Sequence, residues 1–253
     1  MKIVRFRMDA RDRWGILEDK LVHEITWKGI PPGDYSRNDN TFPLETLQLL
    51  PPCLPTKIIC VGLNYRCHAE EVNMEIPKVP IIFLKPSTAV IGPGEQIVHP
   101  PQSRRVDYEA ELGLVIGKKA KNVVVAKARD FIWGYTCAND VTARDLQPKN
   151  GQWTYSKSFD TFAPLGPWIE TEIEDPHNLK VSGILNGREV QRGWTGDFIF
   201  SIEELVAFIS ACMTLLPGDV IMTGTPAGIG PIRKGDTFTV KIDGIGELSN
   251  GIK

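Results

Sequence analysis

The stretch Asp107–Gly117, reading Asp-Tyr-Glu-Ala-Glu-Leu-Gly-Leu-Val-Ile-Gly, constrains the fold more than any other part of the chain. Side chains alternate across a strand with a period of two, so an extended conformation sends Asp107, Glu109, Glu111 and Gly113 to one side. Ala110, Leu112, Leu114 and Ile116 go to the other. One face can seal onto a core while the other carries a row of carboxylates. Same-face neighbours lie only roughly 6.5–7 Å apart. Carboxylates at that spacing repel unless something positive lies between them. A solvent-facing acidic strand edge satisfies the pattern, because most carboxylates are simply exposed. A divalent cation shared by Glu109 and Glu111 satisfies it as well.

A shared cation needs a third anionic ligand, and Asp140 is the best placed. It ends the apolar stretch Asp130–Cys137, expected as a strand, where a carboxylate can project into a cavity mouth; a helix N-cap or turn residue would read the same way. Oxygen donors alone, with no His or Cys pattern nearby, point to Mg²⁺, with Mn²⁺ or Ca²⁺ as alternatives to it and zinc disfavoured. Arg144 and Gln147 follow within two helical turns. An arginine there could clamp a substrate carboxylate, or equally pair with Asp145. His68 and Glu71 stand three apart and share a face if helical, which suits a general base or a plain solvated turn. Lys157 lies among Trp153, Tyr155 and Phe159. A partly desolvated ammonium there could stabilise an enolate, although lysines usually reach water. Thr223–Gly230 lacks the lysine of a phosphate loop and reads as a tight loop on the substrate side.

The remaining chain is mostly strand. Residues 2–8, Trp14–Leu17 and Leu21–Ile25 alternate as strands, and residues 31–55 read as irregular, with a helical patch near Pro43–Leu50 and a linker of prolines. Further strands are expected at Lys57–Gly62 and Ile81–Leu84, with hairpins at Asn186-Gly187 and Asp243-Gly244. Only one segment is convincingly helical. Ser201 and Glu204 form a capping-box pattern, and apolar residues recur from Ile202 to Leu216 before Pro217-Gly218 stops them. The regular alternation of a doubly wound sheet is absent. The expectation is a mainly β chain with a few helices (α+β), divided into residues 1–55, a small N-terminal domain with its linker, and residues 56–253, the catalytic domain. At 253 residues with a net charge of −2, it shows no electrostatic footprint for nucleic acid or anionic lipid. Five cysteines without Cys-x-x-Cys suggest thiols in a reducing compartment, the cytoplasm. No run reaches the roughly 18 apolar residues of a membrane span.

The order of these motifs says more than any one of them. Gly62–Tyr65 with His68 and Glu71, then Asp107–Leu112, then Asn139–Asp145, then Ser156–Phe159, then Gly218–Pro226 resembles the fumarylacetoacetate hydrolase family. The likeness runs from about Ile58 to the C-terminus, and residues 1–50 look like the small N-terminal β domain of many bacterial and archaeal members. The resemblance implies a mixed β-roll, usually homodimeric, with Mg²⁺ or Mn²⁺ at its mouth. The family's metal ligands match Glu109, Glu111 and Asp140; its histidine–glutamate dyad matches His68 and Glu71, and its catalytic lysine matches Lys157. Arg144, Gln147 and Thr225 fall at substrate-holding positions. Tyr65, Trp153, Tyr155 and the Gly193–Phe198 segment are the candidates for the substrate's far end, with Tyr65 taken as a substrate contact. The implied activity is hydrolysis of a carbon–carbon bond in an acylpyruvate-type 2,4-dioxo acid. Its alternatives are oxaloacetate decarboxylation, keto–enol tautomerisation, or isomerisation and decarboxylation of a homoprotocatechuate-pathway intermediate. A non-enzymatic module binding a small dicarboxylate is the competing class. In every case the partner is a small molecule, not nucleic acid or a membrane.

Overall fold

The computed structural model describes residues 1–149 and 151–253. The chain opens with β1 (Lys2–Met8), β2 (Arg11–Glu18), β3 (Leu21–Trp27), β4 (Tyr35–Pro43) and β5 (Gln48–Leu49). After the prolines come β6 (Ile58–Gly62), α1 (Arg66–Glu71), β7 (Ile81–Lys85), β8 (Val90–Ile91) and β9 (Gln96–Ile97). The middle holds β10 (Val106–Tyr108), β11 (Ala110–Ile116), β12 (Ile132–Asn139), β13 (Thr142–Ala143), α2 (Thr154–Lys157) and β14 (Ala163–Glu170). The last part supplies β15 (Lys180–Leu185), β16 (Arg188–Trp194), α3 (Ile202–Cys212), β17 (Val220–Met222), β18 (Gly230–Ile232), β19 (Thr237–Ile242) and β20 (Gly246–Ile252).

Three sheets result. The largest runs β4-β3-β2-β1-β14-β12-β11-β17-β6-β7, with β5 on β1 and β8 on β14. A five-stranded sheet, β16-β15-β19-β20-β9, packs across it, and β13-β10-β18 closes one end. Most pairs are antiparallel, but β17–β6, β14–β8 and β20–β9 are parallel, so the fold is mixed. The apolar residues Ala110, Leu112, Leu114 and Ile116 enter the main core with Ile202, Leu205 and Ile209 of α3 and Val181, Phe238 and Val240 of the second sheet. Val115, on the opposite face, is covered by a second cluster that includes Ile58, Ala138 and Val220. Both faces of β11 are therefore buried, and the acidic row is no solvent-facing edge. Among the described residues no helix is long and apolar enough to cross a membrane.

Several expected elements differ in detail. Asp107–Gly117 is two strands: at Glu109 the chain leaves the three-stranded sheet for the large one, and the Glu109 N–H donates to Asn139 Oδ1 at 2.9 Å instead of to a ladder partner. Residues 35–43, expected as irregular, form β4. Its polar side chains satisfy one another across the pair with β3 and β2, as Asn40 does with Glu24 and Arg37 with Glu18, so no apolar alternation marks the strand. The helical patch near Pro43–Leu50 is a single 3-10 turn, Leu44–Thr46, followed by β5. The strand expected at Asp130–Cys137 begins at Ile132, after a 3-10 segment. α3 keeps its capping box but ends at Cys212, where Met213 turns extended. Leu215 instead bridges to Ala120.

Candidate active site

Strand register builds an acidic cluster. Glu111 lies opposite Ala138 and Ala110 opposite Asn139. The Asp140 N–H, just past the end of β12, donates to the Glu109 carbonyl at 2.9 Å. Alternation then turns Glu109 and Glu111 to the side on which Asp140 emerges. One carboxylate oxygen from each of the three lies within 4.8 Å of the others, and all three residues are buried.

Three buried or half-buried cations meet these charges. Lys157 Nζ donates to Glu109 Oε2 at 2.9 Å and to Asp140 Oδ2 at 2.6 Å. Arg144 donates to Glu109 Oε1, to Asp107 Oδ2 at 2.8 Å and to Gln147 Oε1. Lys85 Nζ stands 2.7 Å from Asp140 Oδ1. Burial works to raise the Glu109 carboxyl, but Lys157 and Arg144 outweigh it and hold the group well below the usual carboxylate range. Glu111 goes the other way: burial first, then the neighbouring Asp140 and Glu109, push it well above. Its Oε2 accepts from Gly224 N–H at 2.7 Å, and no ion pair reaches it among the described residues. Burial lowers Lys157, and Asp140 and Glu109 more than restore it.

The donor set fits a hard divalent cation. Asp140 Oδ1 is buried and accepts no hydrogen bond among the described residues. Lys85 is close, yet its three protons point to the carbonyls of Val141, Lys157 and Phe162. An open carboxylate oxygen beside a crowded Glu111, in an all-oxygen cluster, is what such an ion takes up.

The cluster opens into a cavity of about 510 Å³. His68 on α1 lines the same cavity, its Nδ1 2.9 Å from Glu71 Oε2. Glu71 Oε1 accepts from Gly228 N–H at 2.9 Å, which ties α1 to the loop after β17. Burial would raise the Glu71 carboxyl, but His68 and the Gly228 N–H bring it below its ordinary value. Lys157, Arg144, Gln147 and Thr225 also line the cavity. The Arg144 guanidinium is turned onto Asp107, Glu109 and Gln147, not onto Asp145, which is held by Ser103 and the Arg104 N–H. The Thr225 hydroxyl donates to Ala110 O and accepts from Gln191 Nε2, so it braces β11. Val72, Met74, Phe83 and Trp153 add apolar surface to the lining, beside Asn73 and Lys149. Trp153 lies against Gly62, where a Cβ would come within 2.4 Å of the ring.

Tyr65 lies elsewhere. It is fully buried outside the cavity lining, edge-on to Phe198 at 4.9 Å, and its hydroxyl has no partner among the described residues. The Gly193–Phe198 segment packs there with it. Tyr155 is largely exposed. Sequence reasoning missed Asn139, Thr142, whose hydroxyl donates to Glu109 Oε1, Gln191 and Lys85. The one available signal was a lysine closing the apolar run Ile81–Leu84.

Residues 57–253 match the family model described as fumarylacetoacetate (FAA) hydrolase C-terminal, and residues 1–52 match one described as Rv2993c-like, N-terminal. The chain belongs to the fumarylacetoacetate hydrolase family. A mitochondrial oxaloacetate tautomerase of Rattus norvegicus is 48% identical over 198 residues, 77% of this chain and 63% of that protein. The crystal structure of 5-carboxymethyl-2-hydroxymuconate delta-isomerase from Mycobacterium smegmatis superimposes with a TM-score of 0.92 at 42% identity, covering 100% of this chain and 99% of that one. Maleylpyruvate hydrolase from Sphingobium sp. SYK-6, solved with manganese(II) and pyruvate, gives 0.82 at 30% identity, over 100% and 98%. The chain is thus a fumarylacetoacetate hydrolase family enzyme with the mainly β architecture of its relatives. Tautomerase, isomerase and hydrolase relatives all carry names of small organic acid chemistry, and the acidic triad gives this member a place for a metal ion.

Proposed function

We propose that this enzyme enolises a 2-oxo acid held at the acidic cluster, with interconversion of the keto and enol forms of an oxaloacetate-like acid as its reaction. One observation carries the reading. His68, braced by Glu71, opens into the same cavity as Glu109, Glu111, Asp140 and Lys157. A divalent ion held by Glu109, Glu111 and Asp140, Mg²⁺ first and Mn²⁺ or Ca²⁺ as alternatives, would supply Lewis-acid polarisation of the 2-oxo group. With Nδ1 turned to the Glu71 carboxylate, Nε2 of the neutral His68 ring is the position that would take a proton from the carbon beside that group, and the carboxylate stabilises the imidazolium that forms. Lys157 spends two protons on Glu109 and Asp140, and its third, which meets no acceptor among the described residues, can serve the oxygen on which negative charge develops. Arg144 holds Glu109, Gln147 accepts from Arg144, and both line the cavity where a substrate carboxylate would lie.

A second reading is hydrolysis of an acylpyruvate-type acid, with His68 activating a water. The cavity favours it, because about 510 Å³ lined in part by Val72, Met74, Phe83 and Trp153 exceeds what a four-carbon acid fills. The deciding experiment follows oxaloacetate tautomerisation, oxaloacetate decarboxylation and acetylpyruvate hydrolysis side by side with Mg²⁺ or Mn²⁺, in the unaltered enzyme and in His68→Ala. Tautomerisation that is fast, chelator-sensitive and reduced 10²-fold or more in His68→Ala is expected, in keeping with the usual contribution of a general base. No tautomerisation but rapid acetylpyruvate cleavage would replace the first reading by the second. Binding of these acids without turnover of any would make the chain a binding module.

A further inference from the structure

Lys85 closes β7, and its side chain is completely buried. Four oxygens surround Nζ: the carbonyls of Val141 at 2.9 Å, Lys157 at 2.7 Å and Phe162 at 2.7 Å, and Asp140 Oδ1 at 2.7 Å. An ammonium has three protons, and the carbonyls take all three. Among the described residues Asp140 Oδ1 therefore meets a positive charge without a hydrogen bond, while its Oδ2 is held by Lys157. Burying a lysine is costly unless it is paired and fully hydrogen-bonded, and an apolar side chain of like volume would fill the space with less penalty. The three carbonyls are not arbitrary. They belong to the residue after Asp140, to Lys157 itself, and to the residue that leads into β14. A single ammonium spans the segments that deliver two members of the site.

We infer that Lys85 is a positioning residue for the metal centre. It sets the backbones carrying Asp140 and Lys157 relative to one another, and it keeps Asp140 Oδ1 free of hydrogen bonds and open to a divalent cation. The inference rests on the metal role given to the triad above. Coulomb's law alone argues the reverse: a unit charge 2.7 Å from a ligand oxygen repels an arriving cation, so its removal would tighten metal binding. Positioning predicts looser binding, and the two accounts differ in sign.

The test uses the full chain and Mn²⁺ as the probe. Lys85→Met keeps the length of the side chain and removes its charge and donors. Calorimetry gives the Mn²⁺ dissociation constant, and water-proton relaxation reports how many waters the bound ion keeps. The expected result is a dissociation constant raised about tenfold or more, the usual cost of losing a group that orients a metal ligand. Relaxation should rise with it, because a misaligned Asp140 leaves a coordination position to water. Unchanged or tighter binding with unchanged relaxation, whatever the thermal midpoint does, would reduce Lys85 to a purely structural cation and overturn the inference. Three buried carbonyls without donors could prevent Lys85→Met from folding. Lys85→Gln, which keeps amide donors without the charge, then takes its place under the same two measurements. If the unaltered protein binds neither Mn²⁺ nor Mg²⁺, the metal role of the triad falls and this inference falls with it; normal binding in both variants overturns this inference alone.

Discussion

At the scale of single residues, the site is a problem in charge placement. Three carboxylates each place an oxygen within 4.8 Å of the others, and the cations that meet two of them arrive from other segments: Lys85 from β7, Lys157 from α2, Arg144 from just after β13. Glu111 alone has no cation of its own among them, which is why its carboxyl is driven up while Glu109 is driven down. Relieving that crowding should separate stability from metal binding. Glu111→Gln keeps an oxygen for the Gly224 N–H and deletes the charge. In metal-free buffer its thermal midpoint is expected to rise, by about 2–4 °C for each kcal/mol released in a chain of this size. Mn²⁺ binding should weaken by two orders of magnitude or more in the same protein. A lowered metal-free midpoint, measured by calorimetry, would contradict the crowding argument. Glu109, Glu111, His68 and Glu71 were legible in the sequence because each pair is close along the chain and obeys a strand or helix period. Lys85 was not, since its partners are three backbone carbonyls that carry no residue type to read. Arg144 was legible as a position but not in its partners, Asp107 and Glu109.

At the scale of elements, α1 is a lightly held part of the site. It has only six residues, too few to be stable alone, and its N-cap Tyr65 makes no side-chain cap. Glu71 compensates by bonding His68 with one oxygen and Gly228 N–H with the other. Gly228 has φ +102°, and a Cβ there would meet Val190 O at 2.2 Å, so the loop that receives Glu71 depends on glycine. Glu71→Ala should release α1 without unfolding the core. Amide exchange across residues 66–74 is expected to accelerate while the thermal midpoint stays within a few degrees. Equal exchange in the two proteins would show that other contacts dock the helix. The pH dependence has a definite sign. The folded Glu71 carboxyl lies below its ordinary value of 4.5, so its contribution is fully present above that value. It is lost as pH falls through the lower folded value, so the Glu71 contribution to protection of α1 should decline on acidification below 4.5. The helix was readable from His68 and Glu71 at a spacing of three, whereas its tether to the Thr223–Gly230 loop, far along the chain, was not. The break at Glu109 between β10 and β11 was hidden for a similar reason: alternation continues through it, and only the change of partner strand marks it.

At the scale of the whole molecule, the sequence suggests a division near the prolines at residues 51–55, while the hydrogen bonds of the large sheet run across it. β1 pairs with β14 through Lys2↔Glu170 and Ile3↔Ile169. Ile3, Ile16 and Ile25 share one buried cluster with Ile58, Val115, Ile169 and Val220. Trp14 and Trp27 pack on each other at 6.0 Å and on Trp133 of β12 at 6.2 and 5.8 Å. A linker rich in proline signals that a chain changes direction, and composition cannot tell whether the two sides then share a core. These contacts argue that residues 1–49 and the catalytic strands unfold together. Ile3 is fully buried at the junction, and Ile3→Ala should cost about 2–5 kcal/mol. If the two parts are one cooperative unit, calorimetry will show a single transition moved down by several degrees. Tryptophan fluorescence, to which the packed Trp14, Trp27 and Trp133 contribute three of six indoles, and loss of Mn²⁺ binding, which reports the β11–β12 cluster, should then coincide with it. An early transition in fluorescence, with the metal site surviving to the original midpoint, would instead make the N-terminal strands a separately folding domain. The shared buried cluster and the continuous strand ladder both favour the single transition.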